Sequence, residues 1–440
     1  MINNEFPKVL LIVKNRVNTI DSSSMALRNW FSDWPKDAIA QIYSNDSTFT
    51  EENQFIENGY RIDFRDRNLG IFFSYLKSKT ENKHVPLISV KSKKKSFKSS
   101  ALKYFSDLVV RSGLWEIIFH PKMSDDLKKW IIEYNPDILF VQGADISFMK
   151  LPLMINKEFN IPICFNIVDD WVEHLYTNGF LSEYMTAVTR SEFNKLLNKS
   201  DLNYVIGRQM QQEYIRRYKK PFSILMQCAD PQKYNIQLDS VPLWKDSVIK
   251  ILYSGSLALN RWKAIIDLSK AVHLLNKKGI RFEINVYSNF TPDEAVDLST
   301  LYGVNIYSAV PDNKMPQLLA ESHILFLPES FDEEYREYIK YSVSTKCHLY
   351  MMASRVILAY GPPDVSTISY AKSDQWAAVV DQQSIDLLEE KLLSICLKSE
   401  LREKYLINAK NALCKNHLKE IVSSRLKDDL TTLASKVENE

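Results

Sequence analysis

Short runs of consecutive apolar residues recur along this chain, and each gives way to a segment with helical spacing. Residues 8–14 (KVLLIVK), 38–43, 138–142 (ILFVQ), 161–168 (IPICFNIV) and 202–206 read as strands. Runs that are apolar without polar alternation suit parallel strands covered by helices on both faces. Strand followed by helix, repeated, calls for a doubly wound parallel sheet. The pattern breaks over 228–248, where CADPQKYNIQLDSVPLWKDSV carries two prolines and no clear period, and this reads as a linker. Strands at 250–254, 281–287, 304–307, 323–327 and 356–360 then repeat the theme. Helices are expected over about 261–277, near 292–301, over 314–321 and from about Lys346, with 329–341 as a polar insertion. The expected organisation is a first Rossmann-like domain over 1–230, a second over 231–415, and a C-terminal helix over 416–440 that has the first domain within its choices of packing.

A chain of 440 residues is long enough for two such domains, each with its own core. Charged residues are 25% and the net charge is +2, so nothing global points to nucleic acid. No run approaches the roughly 20 apolar residues of a membrane span, and the N-terminus lacks the pattern of a signal peptide. Cys164, Cys228, Cys347, Cys396 and Cys414 are scattered, odd in number and without a CxxC pair. They read as free thiols of a reducing, cytoplasmic compartment. The seven histidines show no metal-ligand spacing, and no GxGxxG, GxxxxGK[ST] or GxSxG motif is present. A dinucleotide dehydrogenase, a P-loop NTPase and an α/β-hydrolase lose their usual signatures thereby.

The stretch 342–363, SVSTKCHLYMMASRVILAYGPP, carries the chemistry. Small hydroxylated residues (Ser344 and Thr345) lead to Lys346, where a helix is expected to open. Free backbone N–H groups, hydroxyls and a lysine at a helix start suit an anion such as phosphate. A matching piece lies earlier, where strand 250–254 runs into Gly255 and Ser256, and Arg261 and Lys263 open the next helix. Cations at a helix N-terminus cost roughly 0.3–1 kcal/mol each unless an anion is near. Two such starts suggest one diphosphate held between them. Asp169 and Asp170 follow a strand and precede Trp171, either as a turn with an Asx bond or as a functional pair. Ser22, Ser23 and Ser24 stand where a loop meets a helix, as an N-cap does. Tyr350 reads as core. From Lys91 to Lys103, KSKKKSFKSSALK holds six lysines and no acid. This reads as a solvated face or as a contact with an anionic membrane surface.

Three segments together resemble the GT-B glycosyltransferases, most closely the large family 4 of retaining nucleotide-sugar transferases. They are YSGSLALNRWKAIIDL at 253–268, YSAVPDNKMPQLLAESHILFLP at 307–328, and the 342–363 stretch. The DDW at 169–171 is a weaker match. The resemblance implies two doubly wound domains facing across a cleft. It places Gly255 and Ser256 at the glycine turn beneath the donor diphosphate, and Arg261 or Lys263 as the base that neutralises it. Val310 falls in the loop whose backbone reads the nucleotide base. Ser344, Thr345 and Lys346 fall beneath the diphosphate and sugar, and Asp169 and Asp170 beside the transferred sugar. The family's two glutamates, eight positions apart, fall on Tyr341 and Leu349, a departure that removes the ribose carboxylate. Glu329, Glu333, Glu334 and Glu337 are the carboxylates of the neighbouring insertion that remain as substitutes.

The expected activity is transfer of a sugar from a nucleotide-diphosphate sugar to a glycan or lipid-linked acceptor, in surface polysaccharide assembly. No metal or other cofactor is expected, because Lys346 with Arg261 or Lys263 meets the leaving diphosphate. The catalytic expectation rests on Asp169, Asp170 and Lys346. The chain is expected in the cytoplasm, with the lysine run as a route to the inner face of the plasma membrane. The alternatives are a degenerate protein of the same fold that binds a nucleotide sugar or a partner, and a nucleotide-sugar epimerase.

Overall fold

The computed structural model describes residues 6–18, 24–46, 50–69, 112–143, 145–176, 181–232, 244, 248–289, 291–292, 295, 297–311 and 314–437. The lysine run from Lys91 to Lys103, with Ser22 and Ser23, lies outside the described residues. The chain divides into two compact units. One comprises Met1–Val205, Lys220–Ser223 and Arg425–Glu440, and the other Ile206–Lys219 and Ile224–Ser424.

The first unit is built on a seven-stranded sheet. Its strands are β1 (Val9–Val13), β2 (Ile39–Tyr43), β3 (Asn58–Arg61), β4 (Ile138–Gln142), β5 (Ile163–Ile167), β6 (Leu202–Val205) and β7 (Ser223–Ile224). They lie in the order β3-β2-β1-β4-β5-β6-β7, and β1 to β6 pair in parallel. VLLIV of β1 and ICFNI of β5 are buried throughout, as the apolar runs require of strands covered on both faces. Phe140 of β4 meets Phe31 edge-on, with centroids 5.1 Å apart, and Trp30 packs beside them. Ser24 stands at the N-cap of the helix Met25–Phe31, where its hydroxyl accepts from Asn18 N rather than from the helix. β3 escapes a reading by apolar pattern because NGYR is an edge strand with alternate residues exposed.

The second unit is built on six parallel strands: β8 (Ile249–Ser254), β9 (Phe282–Tyr287), β10 (Val304–Tyr307), β11 (Ile324–Pro328), β12 (Val356–Tyr360) and β13 (Ala378–Val380). Their order is β10-β9-β8-β11-β12-β13. Counted within the unit this is 3-2-1-4-5-6, so the winding reverses between β8 and β11. Ligands of open α/β sheets bind outside the carboxyl ends of the strands at such a reversal. The helix Arg261–Lys277 lays Ile265, Leu268, Val272 and Leu275 on Ile251, Ile284 and Val286 of the sheet.

Two expectations change here. The insertion at 329–341 contains a helix, Glu333–Ile339, hidden in the sequence because EEYREYI buries only Ile339. The helix expected near 292–301 is, among the described residues, a single 3-10 turn at Leu298–Thr300. The long C-terminal helix Lys419–Val437 begins in the second unit and passes at Arg425 into the first, where Tyr204 donates to Asp429 Oδ2 at 2.5 Å. The five cysteines are free. No helix among the described residues is long and apolar enough to cross a membrane.

Candidate active site

The strands on either side of the reversal deliver the site of the second unit. β8 ends at Ser254, and the next residue, Gly255, still pairs with β9 through its N–H to Tyr287 O at 2.9 Å. Its φ of +141° is open to glycine and strained for a residue with a side chain. A Cβ at this position would overlap Lys346 Cε and stand 2.8 Å from its Nζ. The lysine side chain therefore lies against the bare backbone of Gly255. Its ammonium sits 5.5 Å from the centre of the Tyr253 ring. Tyr253 in turn donates its hydroxyl to Ser256 O at 2.5 Å, and Ser254 N donates to Tyr350 Oη at 3.2 Å. Two buried tyrosines thus fix the course of the turn from below.

Arg261 opens its helix and places Nη2 3.0 Å from Glu329 Oε2, with 15% and 3% of the two side chains exposed. Glu329 follows β11 and is held by its N–H to Tyr360 O at 2.8 Å. Gly361 makes room for it, since a Cβ there would come within 2.8 Å of Glu329 Cβ. Lys263 turns to Asp332 at 2.7 Å and is more exposed. Both cations that the sequence leaves uncompensated at this helix start therefore have a carboxylate of the protein. That removes the electrostatic argument for a ligand at Lys263 and transfers it to Lys346.

Lys346 makes no ion pair and no side-chain hydrogen bond among the described residues. Burial first, and the Arg261 guanidinium second, push its ammonium from 10.5 down to about 8. Two cations and one carboxylate, Arg261, Lys346 and Glu329, leave a net positive charge at the carboxyl edge of the sheet. An anion is the ligand such a balance of charge favours.

Lys346 is the residue at the N-cap of the helix Cys347–Met352, which is only six residues long. Ser344 O accepts from Cys347 N at 3.1 Å, and Ser344 N donates to Thr367 Oγ1 at 2.9 Å, so Ser344 anchors the loop. Thr345 is exposed. Ser256 is exposed as well, and its Oγ accepts from Ala258 N at 3.1 Å. Val310 is half-buried in the loop after β10. Tyr341 lies under Arg217, whose guanidinium carbon is 5.1 Å from the ring centre. Asp169 and Asp170 belong to the first unit, after β5, and Asp170 is 1% exposed. The structure thus gathers Gly255, Arg261 and Lys346 into one place and adds Tyr253 and Glu329. The sequence offers Glu329 only as one of four carboxylates of the insertion, with nothing to pair it with Arg261, and Tyr253 only as part of a strand.

The two sheets and their order are those of the GT-B glycosyltransferase fold. A sucrose-phosphate synthase from Thermosynechococcus elongatus superposes with a TM-score of 0.61 at 9% identity, over 98% of this chain and 100% of that one. A trehalose-6-phosphate structure from E. coli bound with UDP-2-fluoro glucose gives 0.59 at 9% identity, over 96% and 98%. A glycosyltransferase from Rickettsia africae gives 0.55 at 12%, over 97% and 98%. At such identities the likeness is one of fold. No protein-family model matches the chain, and no curated protein matches it in sequence.

Proposed function

We propose that the protein is a glycosyltransferase that takes a sugar from a nucleotide-diphosphate sugar. The observation that carries this reading is the ammonium of Lys346, without an ion pair, lying on Gly255 beside Arg261 at the reversal of the second sheet. Fold alone would not support an activity. A fold shared with a structure bound to a UDP-sugar, together with a net positive charge where open sheets bind ligands, does. In this reading Lys346 and Arg261 meet the negative charge that grows on the leaving diphosphate. Preorganised charge of this kind is usually the largest catalytic term. Gly255 and Ser256 give the diphosphate access to backbone, Ser344 and Thr345 line the loop beneath it, and Val310 lies in the loop that reads the base. Lys263, tied to Asp332, is the outer member of the pair. Asp169 and Asp170 stand beside the sugar on the acceptor side. The acceptor is a glycan or lipid-linked sugar of a surface polysaccharide, transfer proceeds with retention, and no metal or other cofactor takes part.

Calorimetry against UDP-, GDP-, ADP- and CMP-sugars tests this. One nucleotide sugar is expected to bind, and Lys346→Ala is expected to weaken binding and turnover at least tenfold, about 1.4 kcal/mol. Failure of every donor to bind would overturn the reading. A second reading, a binder that does not transfer, is favoured by Tyr341 and Leu349 standing where the resembling family carries its glutamate pair. Donor binding without product from any acceptor would establish it.

The lysine run from Lys91 to Lys103 is the proposed membrane contact, each lysine gaining roughly 1 kcal/mol at an anionic surface. The wild type is expected to float with vesicles of anionic lipid. A variant with Lys91, Lys93, Lys94 and Lys95 changed to serine is expected to remain below. Equal partitioning would overturn the contact.

A further inference from the structure

The loop that joins β8 to the Arg261 helix contains two consecutive residues in left-handed backbone, Leu259 at φ +57° and Asn260 at φ +56°. Asparagine offsets the crowding of its Cβ against the following carbonyl with hydrogen bonds of its short amide side chain, whereas leucine bears that cost without such compensation. Burial of the leucine does not explain the strain. Leu257 is the residue of this loop that is fully buried, and Leu259 is only half-buried. Strain of this kind persists where the surroundings over-determine it.

Asp332 is the carboxylate that meets the left-handed end of this loop. Asp332 Oδ2 accepts from Asn260 Nδ2 at 2.5 Å and from Lys263 Nζ at 2.7 Å, so it grips the chain on both sides of Arg261. Asn260 Oδ1 accepts from Trp262 Nε1 at 3.2 Å, which uses the rest of that amide. Asp332 is itself fixed. Its N–H donates to Ser330 Oγ at 3.2 Å, and it precedes the helix Glu333–Ile339, which is tied down by Arg336 to Asp364 at 2.8 Å. The same short connection supplies Glu329, which receives Arg261. One segment after β11 therefore holds the residue that opens the helix, the residue before it and the residue two positions after it.

We infer that Asp332 is a positioning residue for the donor site: by clamping Asn260 and Lys263 it holds the left-handed turn closed and sets Arg261 beside Lys346. The inference rests on the reading of the Gly255, Arg261 and Lys346 cluster as the place of the donor diphosphate. Asp332 touches no reacting atom in this role. It acts on the geometry of the guanidinium that does.

The test removes the clamp and then removes the strain that the clamp opposes. Asp332→Ala is expected to weaken binding of the nucleoside diphosphate that the wild type binds, among UDP, GDP and ADP, at least tenfold. Amide hydrogen exchange of residues 256–263 is expected to rise in the same variant, with the melting temperature little changed. Adding Leu259→Gly is expected to return the affinity to within about threefold of wild type, because glycine enters positive φ without steric cost. Asp332→Asn, which still accepts from Asn260 and no longer pairs with Lys263, is expected to fall between. A merely structural role would not be rescued by a glycine in the loop. Wild type that binds none of the three overturns the donor reading. Wild type that binds, with Asp332→Ala binding equally well, overturns the positioning role alone. Unchanged exchange at 256–263 in Asp332→Ala overturns the clamp whichever way binding falls.

Discussion

Lys346→Met is expected to make the ligand-free protein more stable and at the same time unable to hold its donor. Burial first and Arg261 second bring the ammonium from 10.5 to about 8. Between pH 8 and 10.5 the unfolded chain carries a proton that the folded chain has lost. Stability therefore rises with pH through that window, and below pH 8 the charged lysine costs a constant amount, about 3 kcal/mol. Methionine fills a similar volume without the charge, so most of that cost should be recovered. Urea unfolding at pH 7 reads the gain as a higher midpoint with an unchanged slope. Wild-type donor affinity should be flat below about pH 7 and fall as the pH rises through 8, when the ammonium is lost. The methionine variant should show weak binding without that pH dependence. A variant that is less stable than wild type, or that binds donor as well, would refute the assignment of Lys346 as a cation kept for a ligand.

Acid should unfold the second unit unusually early, and two histidines are the cause. His348 is fully buried on the helix Cys347–Met352, and neither ring nitrogen has a hydrogen-bond partner among the described residues. Burial, with His417 adding to it, brings its pKa down to about 3. His417 is equally enclosed. Its Nδ1–H donates to Gln227 O at 2.7 Å, Tyr370 Oη lies 3.1 Å from Nε2, and burial brings its pKa to about 4. Both are neutral in the folded chain and take up protons near pH 6.5 when it unfolds. Stability is thus intact above about pH 6.5 and falls as the pH drops, by roughly 1.4 kcal/mol per pH unit for each histidine. By pH 4 the two together remove about 7 kcal/mol, comparable with the whole stability of a typical domain. His348→Leu, which deletes an imidazole without partners, should move the acid midpoint of the second unit downward by several tenths of a pH unit and raise stability at neutral pH. Acid unfolding followed by tryptophan fluorescence checks this, and an unchanged midpoint would show that His348 takes no part.

Much of the second unit could be read along the chain because its signals are local. ILFLP and VILAY are short, β-branched and apolar runs closed by turn residues, which read as strands between helices, and the helix Arg261–Lys277 begins and ends where its spacing says. Gly255 and Lys346 were legible for the same reason, each beside a strand or at a helix start. The pairings that give the site its electrostatics are not local. Arg261 meets Glu329, and Lys263 meets Asp332, across a gap that only the strand order β8-β11 closes. Nothing in the string RWK tells which of its cations keeps a free charge, and the answer turned out to be a lysine on a different strand–helix unit. The left-handed Leu259 was hidden too, since leucine is among the residues least expected there. Asp169 and Asp170 are named from their position at a strand end alone, and Asp170 is buried.

The contact between Gly255 and Lys346 ties two distant positions to one history. The space that a side chain at 255 would need is taken by the end of the lysine at 346. A lineage cannot enlarge the first while keeping the second, and a lineage that shortens the second no longer needs the first to be bare, apart from its backbone angle. Among descendants of this chain the two sites should change together or not at all. The glycine should be lost only on branches where the lysine, and with it the positive charge at the end of β8, has already gone.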